Sequence, residues 1–316
     1  MSKPVVDDLT IAMPLVILPV ERTPRKVLKA TSLILVLTLV VAFSTSVVVG
    51  YFFGGQVTEE AMPAKESKMG GKASIINLAY ILVMIFIVTL AIIALVKYGK
   101  IGILKLFMTF VIMILIFTFT QTMIILYQAY IFSYLWYMGL HGVEALVPFI
   151  VYISWIFVAI FCVLYVFSII KMKYLNIRNA ILILNAIWAA VWLGWTSGML
   201  TPIVILVGLA TYDIYSVFRG PLRDLTELLM NTDKKAGEEP YGVIIGLGDI
   251  FFYSFAISYA YAVLNIIEVA IVAVALFGGA ILTFILLLKY EVRALPALPI
   301  PVLSAVGLIV LFLYVI

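Results

Sequence analysis

GVIIGLGDIFFYSFAISYAYAV, residues 242–263, is apolar over about the length needed to cross a bilayer, yet it carries one carboxylate, Asp249, with Gly246 and Gly248 just before it. An ionisable group in hydrocarbon costs several kcal/mol or more, so an acid in such a place is a functional candidate by default. The two glycines weaken a helix where the acid would be presented. The meaning of that acid depends on what the rest of the chain is.

The composition is that of a membrane protein. The 316 residues are 66% hydrophobic and 11% charged, with a mean hydropathy of +1.24. A soluble domain of this length exposes far more charge. Apolar runs of about 20 residues recur along the chain. The net charge of +4 is spread over loops and does not suggest nucleic acid. The single cysteine, Cys162, can form no intramolecular disulfide and reads as apolar filler. The single histidine, His141, cannot supply a zinc pair or a haem pair, and no metal or other cofactor is expected.

Nine candidate spans stand at about 30–53, 75–96, 104–128, 147–170, 179–196, 199–218, 242–263, 265–288 and 296–316. The segment ahead of the first holds Asp7, Asp8, Pro14, Pro19, Pro24 and a basic cluster, and the run after it is too long for a cleavable signal core. Ser197 and Gly198 break the chain between spans five and six. With the N-terminus inside, 17 of the 20 basic residues fall in internal segments; the other three, Lys65, Lys68 and Lys72, share the first external loop with Glu59, Glu60 and Glu66. This is the alternation the positive-inside rule demands. The expected fold is an all-α polytopic membrane protein of nine transmembrane helices, with a cytoplasmic N-terminus and an external C-terminus. The longest internal loop, 219–241, joins spans six and seven and is the most polar segment of the chain.

Of the 16 acids, three fall within proposed spans: Asp213, Asp249 and Glu268. Glu268 sits near the external end of span eight, where a structural or interfacial role suffices. Asp213 lies six residues before Arg219, roughly 9 Å along a helix from the inner boundary. Asp249 lies eight residues after Tyr241, about 12 Å from the same side. Two carboxylates at matched depth on adjacent antiparallel helices can face each other, and no Lys, Arg or His is placed at that depth to neutralise them. Gly242 and Gly246 form a G-x-x-x-G spacing that would let span seven approach a neighbour closely. Carboxylates that share a site cannot both ionise cheaply, so the pair holds one proton between them. Such a pair suits the hydrolysis of a peptide bond by activated water. It equally suits a proton-coupled transporter or a cation channel with relay acids. No H-E-x-x-H occurs, and His141 lies in an external loop, away from any membrane-buried serine.

Three motifs separate these readings. The chain has Tyr212-Asp213 in span six, Gly246-Leu247-Gly248-Asp249 in span seven, and "ALPALPIPV" from Ala294 to Val302 at the start of span nine. This pattern resembles the presenilin and signal peptide peptidase family of intramembrane aspartyl proteases, of the GxGD type. Prepilin peptidases carry a similar four-residue motif, but lack the Pro-Ala-Leu ending and differ in span count. The resemblance is specific over about residues 199–316 and rests on span count and orientation before that.

The resemblance implies that Asp213 and Asp249 are catalytic and that Pro296, Ala297 and Leu298 pack beside them. It implies supporting roles for Tyr212, Gly246, Leu247 and Gly248. Residues 1–198 would be a scaffold of five helices, and 199–316 the catalytic unit with its cytoplasmic loop 219–241. The substrates would be single transmembrane helices or signal-peptide remnants met within the lipid bilayer. Such a helix must unwind before water can reach an amide, and the extended chain could pair with a backbone edge, for which the loop 220–240 and the segment 294–301 are the candidates. No obligate partner subunit is evident, and an oligomer stays open. The absence of any N-x-S/T site points to a prokaryotic cell membrane.

Overall fold

The computed structural model describes residues 15–18, 24–139, 147–170, 175–218, 243–290 and 296–314. Nine long helices run through them: α1 (Pro24–Phe52), α2 (Gly71–Lys97), α3 (Ile101–Tyr137), α4 (Val147–Ile170), α5 (Leu175–Thr196), α6 (Thr201–Phe218), α7 (Leu247–Val263), α8 (Ile266–Tyr290) and α9 (Pro299–Tyr314). Seven of these, α1–α6 and α8, are long and apolar enough to cross a membrane, while α7 and α9 are shorter apolar helices of 17 and 16 residues. The chain is a multi-pass integral membrane protein with an all-helical frame. Its large apolar side chains point outward where lipid would lie, as with Leu33, Leu106, Tyr152 and Val274.

One short β-ribbon is added to that frame. Strand β1 (Leu15–Leu18) pairs antiparallel with β2 (Val243–Gly246), with Leu15 opposite Gly246 and Leu18 opposite Val243. Span seven is therefore not helical from residue 242, as its apolar length suggests. The β-branched Val243, Ile244 and Ile245 favour extended backbone. Gly246 holds φ −63° and ψ 131° as the cap residue, and the helix starts at Leu247. The G-x-x-x-G reading fails with it, since Gly246 lies in a strand and Gly242 lies outside the described residues. So do His141 and the loop 219–241.

The core forms around α7. Residues Tyr253–Ala260 are buried without interruption, enclosed by α5, α1, α8 and α9. Small residues set the close approach. A Cβ on Gly194 of α5 would stand 2.7 Å from the Ser258 Oγ of α7, and the Ser258 hydroxyl donates to the Val191 carbonyl at 3.0 Å. A Cβ on Gly279 of α8 would stand 2.5 Å from the Pro301 Cα of α9. In hydrocarbon, helices associate through such packing and through interhelical hydrogen bonds, because lipid tails are as apolar as leucine.

Two acids close helix ends. Asn265 and Glu268 form a reciprocal cap on α8: the Asn265 side-chain oxygen accepts from the Ile267 and Glu268 amides at 3.1 Å, and the Glu268 carboxylate accepts from the Asn265 amide at 3.0 Å. Glu66, at the start of the short helical turn Glu66–Met69 between α1 and α2, caps α6 from a distance. Its carboxylate accepts from the Met199 and Leu200 amides at 3.0 Å, from the Thr201 amide and hydroxyl, and from the Ser74 hydroxyl at 3.1 Å. Gly198 makes room, with φ +85° and a carboxylate carbon 2.9 Å from where its Cβ would be.

Arg178 corrects the sequence reading. It falls in the first turn of α5, not in the preceding turn of chain, and is 2% exposed beside Tyr165.

Burial pushes the Glu66 carboxyl up, but the hydrogen bonds from Leu200, Thr201 and Ser74 outweigh it and hold the group below its ordinary value of 4.5. The Glu66 contribution to stability is therefore full above the unfolded carboxylate range and fades as pH falls through the folded value. Glu66→Gln lowers the thermal midpoint at pH 7, and the gap from the parent protein narrows as pH is lowered below about 4. Thermal unfolding in detergent across pH measures both.

Candidate active site

Asp213 lies on α6 five residues before its end, about 8 Å along the axis. It is half-buried. One carboxylate oxygen accepts a hydrogen bond from the Leu298 amide at 3.1 Å. The donor comes from the non-helical turn Pro296–Leu298, immediately before α9. Pro296 has no N–H, and Pro299 takes the first helical position, where its missing donor costs nothing. The turn thus presents a backbone amide just ahead of a helix N-terminus, a natural seat for an anion.

Asp249 stands at the third position of α7, in its first turn rather than 12 Å along a helix. Its carboxylate turns back toward the backbone of Gly246, the cap residue. That contact explains one glycine. A Cβ on Gly246 would lie 2.9 Å from an Asp249 carboxylate oxygen and 3.3 Å from its carbon. Gly248 differs: it is exposed, and a Cβ there would meet nothing within 4 Å. Leu247 between them packs against the cluster of Ile112, Ile116, Tyr165, Ile181 and Leu182 from α3, α4 and α5.

The two aspartates lie within electrostatic reach of each other. They are not brought together by a broad contact between α6 and α7. Those helices touch only lightly, and each packs more extensively on α9. The Pro296–Leu298 turn is the bridge: its Leu298 amide holds Asp213, and the Ala297 carbonyl accepts from the Tyr253 hydroxyl of α7 at 3.0 Å. Tyr253 is within electrostatic reach of both carboxylates. Sequence reading missed it, although its spacing, four residues after Asp249, puts it on the same helix face. Tyr212 is half-buried next to Asp213, but neighbouring residues point about 100° apart around a helix, so it does not share the Asp213 direction.

Of the segment 294–301, residues 294 and 295 lie outside the described residues, and 296–301 is not a free backbone edge, because Leu298 donates to Asp213, Ala297 accepts from Tyr253, and Pro299 onward is helix. The strand beside the site is β2 instead.

Residues 230–316 match the presenilin family model. The chain is presenilin-like. Its fold aligns with that of a presenilin family intramembrane aspartate protease at a TM-score of 0.53 and 16% identity, covering 90% of this chain and 98% of that one. Presenilin-B of Dictyostelium discoideum is 35% identical over an alignment of 112 positions, which covers 32% of this chain and 23% of that protein. The chain thus matches about a quarter of the length of that relative. The presenilin-like sequence match includes Asp249 and the Pro296–Leu298 turn and begins after Asp213.

The geometry distinguishes three substitutions by stability alone. Gly246→Ala forces the Asp249 carboxylate to move and costs about 1–3 kcal/mol. Gly248→Ala meets open space and gains up to about 1 kcal/mol of helix propensity. Tyr253→Phe frees the Ala297 carbonyl and costs about 1 kcal/mol or slightly more. Chemical unfolding of the three variants in micelles checks the order.

Proposed function

We propose that the protein is an intramembrane aspartyl endopeptidase that cleaves single-span transmembrane helices or signal-peptide remnants. The observation that carries this reading is the pair of carboxylates at one end of the bundle, one held by the Leu298 amide and the other at a helix N-terminus. The fold shared with an intramembrane aspartate protease supports it. Residues 199–316 carry the chemistry, and residues 1–198 enclose α7 as scaffold. The site works without a cofactor, and the substrate arrives from the bilayer. A prokaryotic cell membrane is the setting we infer.

In this reading Asp213 and Asp249 share one proton. The Leu298 amide, donating to Asp213, favours that carboxylate in its ionised form and suits Asp213 to the base role. Asp213 takes a proton from water, and the water oxygen bonds to the scissile carbonyl carbon. Protonated Asp249 donates a hydrogen bond to the carbonyl oxygen. The C–N bond then breaks as a proton passes to the leaving nitrogen. The open side at Gly248 leaves room for substrate backbone next to Asp249. An unwound substrate offers unpaired amides, which a neighbouring strand can satisfy.

Purified protein in liposomes with a single-span reporter peptide yields two fragments, identified by mass. Asp213→Asn and Asp249→Asn each lower the rate by at least about 10³-fold, the scale expected when one member of a catalytic unit is lost. Cleavage that survives either substitution, or ion flux with no fragments, rejects the reading.

A further inference from the structure

Three residues before Asp249, the chain is a strand, and its edge is taken. Residues Leu15–Leu18 pair with Val243–Gly246, the two segments being more than 200 residues apart in sequence. The pairing ends with Leu15 opposite Gly246, the residue that caps α7 and contacts the Asp249 carboxylate. β1 also runs against α5, one of the helices that enclose α7.

The sequence of β1 marks it as a segment built for this edge. "LVIL" is uncharged, apolar and extended, with Pro14 before it and Pro19 after it. Proline cannot donate to a ladder, so the strand limits itself to its four residues. An isolated two-stranded ribbon is marginally stable in any case. A partner held by so short a ladder can be exchanged for another strand. An unwound transmembrane segment has the same chemistry: apolar side chains on an extended backbone with unpaired amides.

We propose that residues 15–18 are an intramolecular occupant of the β2 edge, and that an extended apolar polypeptide substrate displaces them by pairing antiparallel with Val243–Gly246. The proposal rests on the hydrolytic reading of Asp213 and Asp249 for the identity of that polypeptide. It makes the N-terminal strand a built-in competitor. Substrate binds only the fraction of molecules whose edge is free, and its apparent affinity falls by that fraction.

The test separates binding from cleavage. Binding of a fluorescent single-span apolar peptide is measured in phosphatidylcholine vesicles with Asp249→Asn protein, so the peptide stays intact. Val16→Pro and Ile17→Pro are added singly. Successive N–H groups point to opposite sides of a strand, so one of the two removes a donor facing β2. An edge open about a tenth of the time predicts about tenfold tighter binding once β1 is released. Val16→Cys with Ile245→Cys, in a Cys162→Ser background, joins two residues opposite in register. The oxidised form binds the peptide more weakly than the parent, and reduction restores it. Unchanged or weaker binding in both proline variants overturns the proposal, as does failure of the cysteine pair to cross-link. Cleavage is assayed separately with Asp249 intact. Cleavage with no change in binding removes the strand proposal and leaves the hydrolytic reading. Altered binding with no cleavage in any form does the reverse.

Discussion

The Leu298 amide and the Asp213 carboxylate hold the functional end of the molecule together. A bilayer tolerates irregular backbone only where protein or water satisfies its polar groups. The turn at 296–298 meets that condition through the site itself: its Leu298 amide is taken by Asp213, and the Ala297 carbonyl by Tyr253. The acid that hydrocarbon would reject and the backbone that hydrocarbon would reject satisfy each other. α6 and α7 need little mutual contact as a result, since α9 joins both.

Around this end the packing is close and the residues are small. Gly194 and Gly279 permit contacts with Ser258 and Pro301 that no side chain on either glycine would allow. α7 is thereby gripped along its middle, while its first turn, with Gly248 and Asp249, stays partly open. The rigid part and the accessible part belong to one helix of 17 residues. At the opposite end of α6, Glu66 closes the N-terminus with hydrogen bonds supplied from another part of the chain.

Much of this was legible in the amino-acid order. Long apolar runs marked the helices, because a spanning helix satisfies its backbone internally and needs only length and apolarity. Asp213 and Asp249 stood out because charge is costly there, and Pro296 to Leu298 because proline interrupts a helix. Other features were hidden. Apolar length does not separate a helix from a strand followed by a helix, so β2 was read as part of span seven. Arg178 read as a loop cation because charge was counted without knowing where α5 begins. Tyr253 looked like one aromatic residue among many.

The sequence by itself determined a multi-pass membrane protein with two misplaced acids and a proline-marked turn, since hydrophobicity and charge act through local composition. Tertiary structure alone decided that the Leu298 amide faces Asp213, that Gly246 rather than Gly248 is sterically tied to Asp249, and that residues 15–18 lie along the strand leading to the site. Those facts depend on which backbone donors and acceptors meet across hundreds of residues. Hydrogen-bond partners of that kind are chosen by the packing of helices in space and leave no periodic trace in the chain.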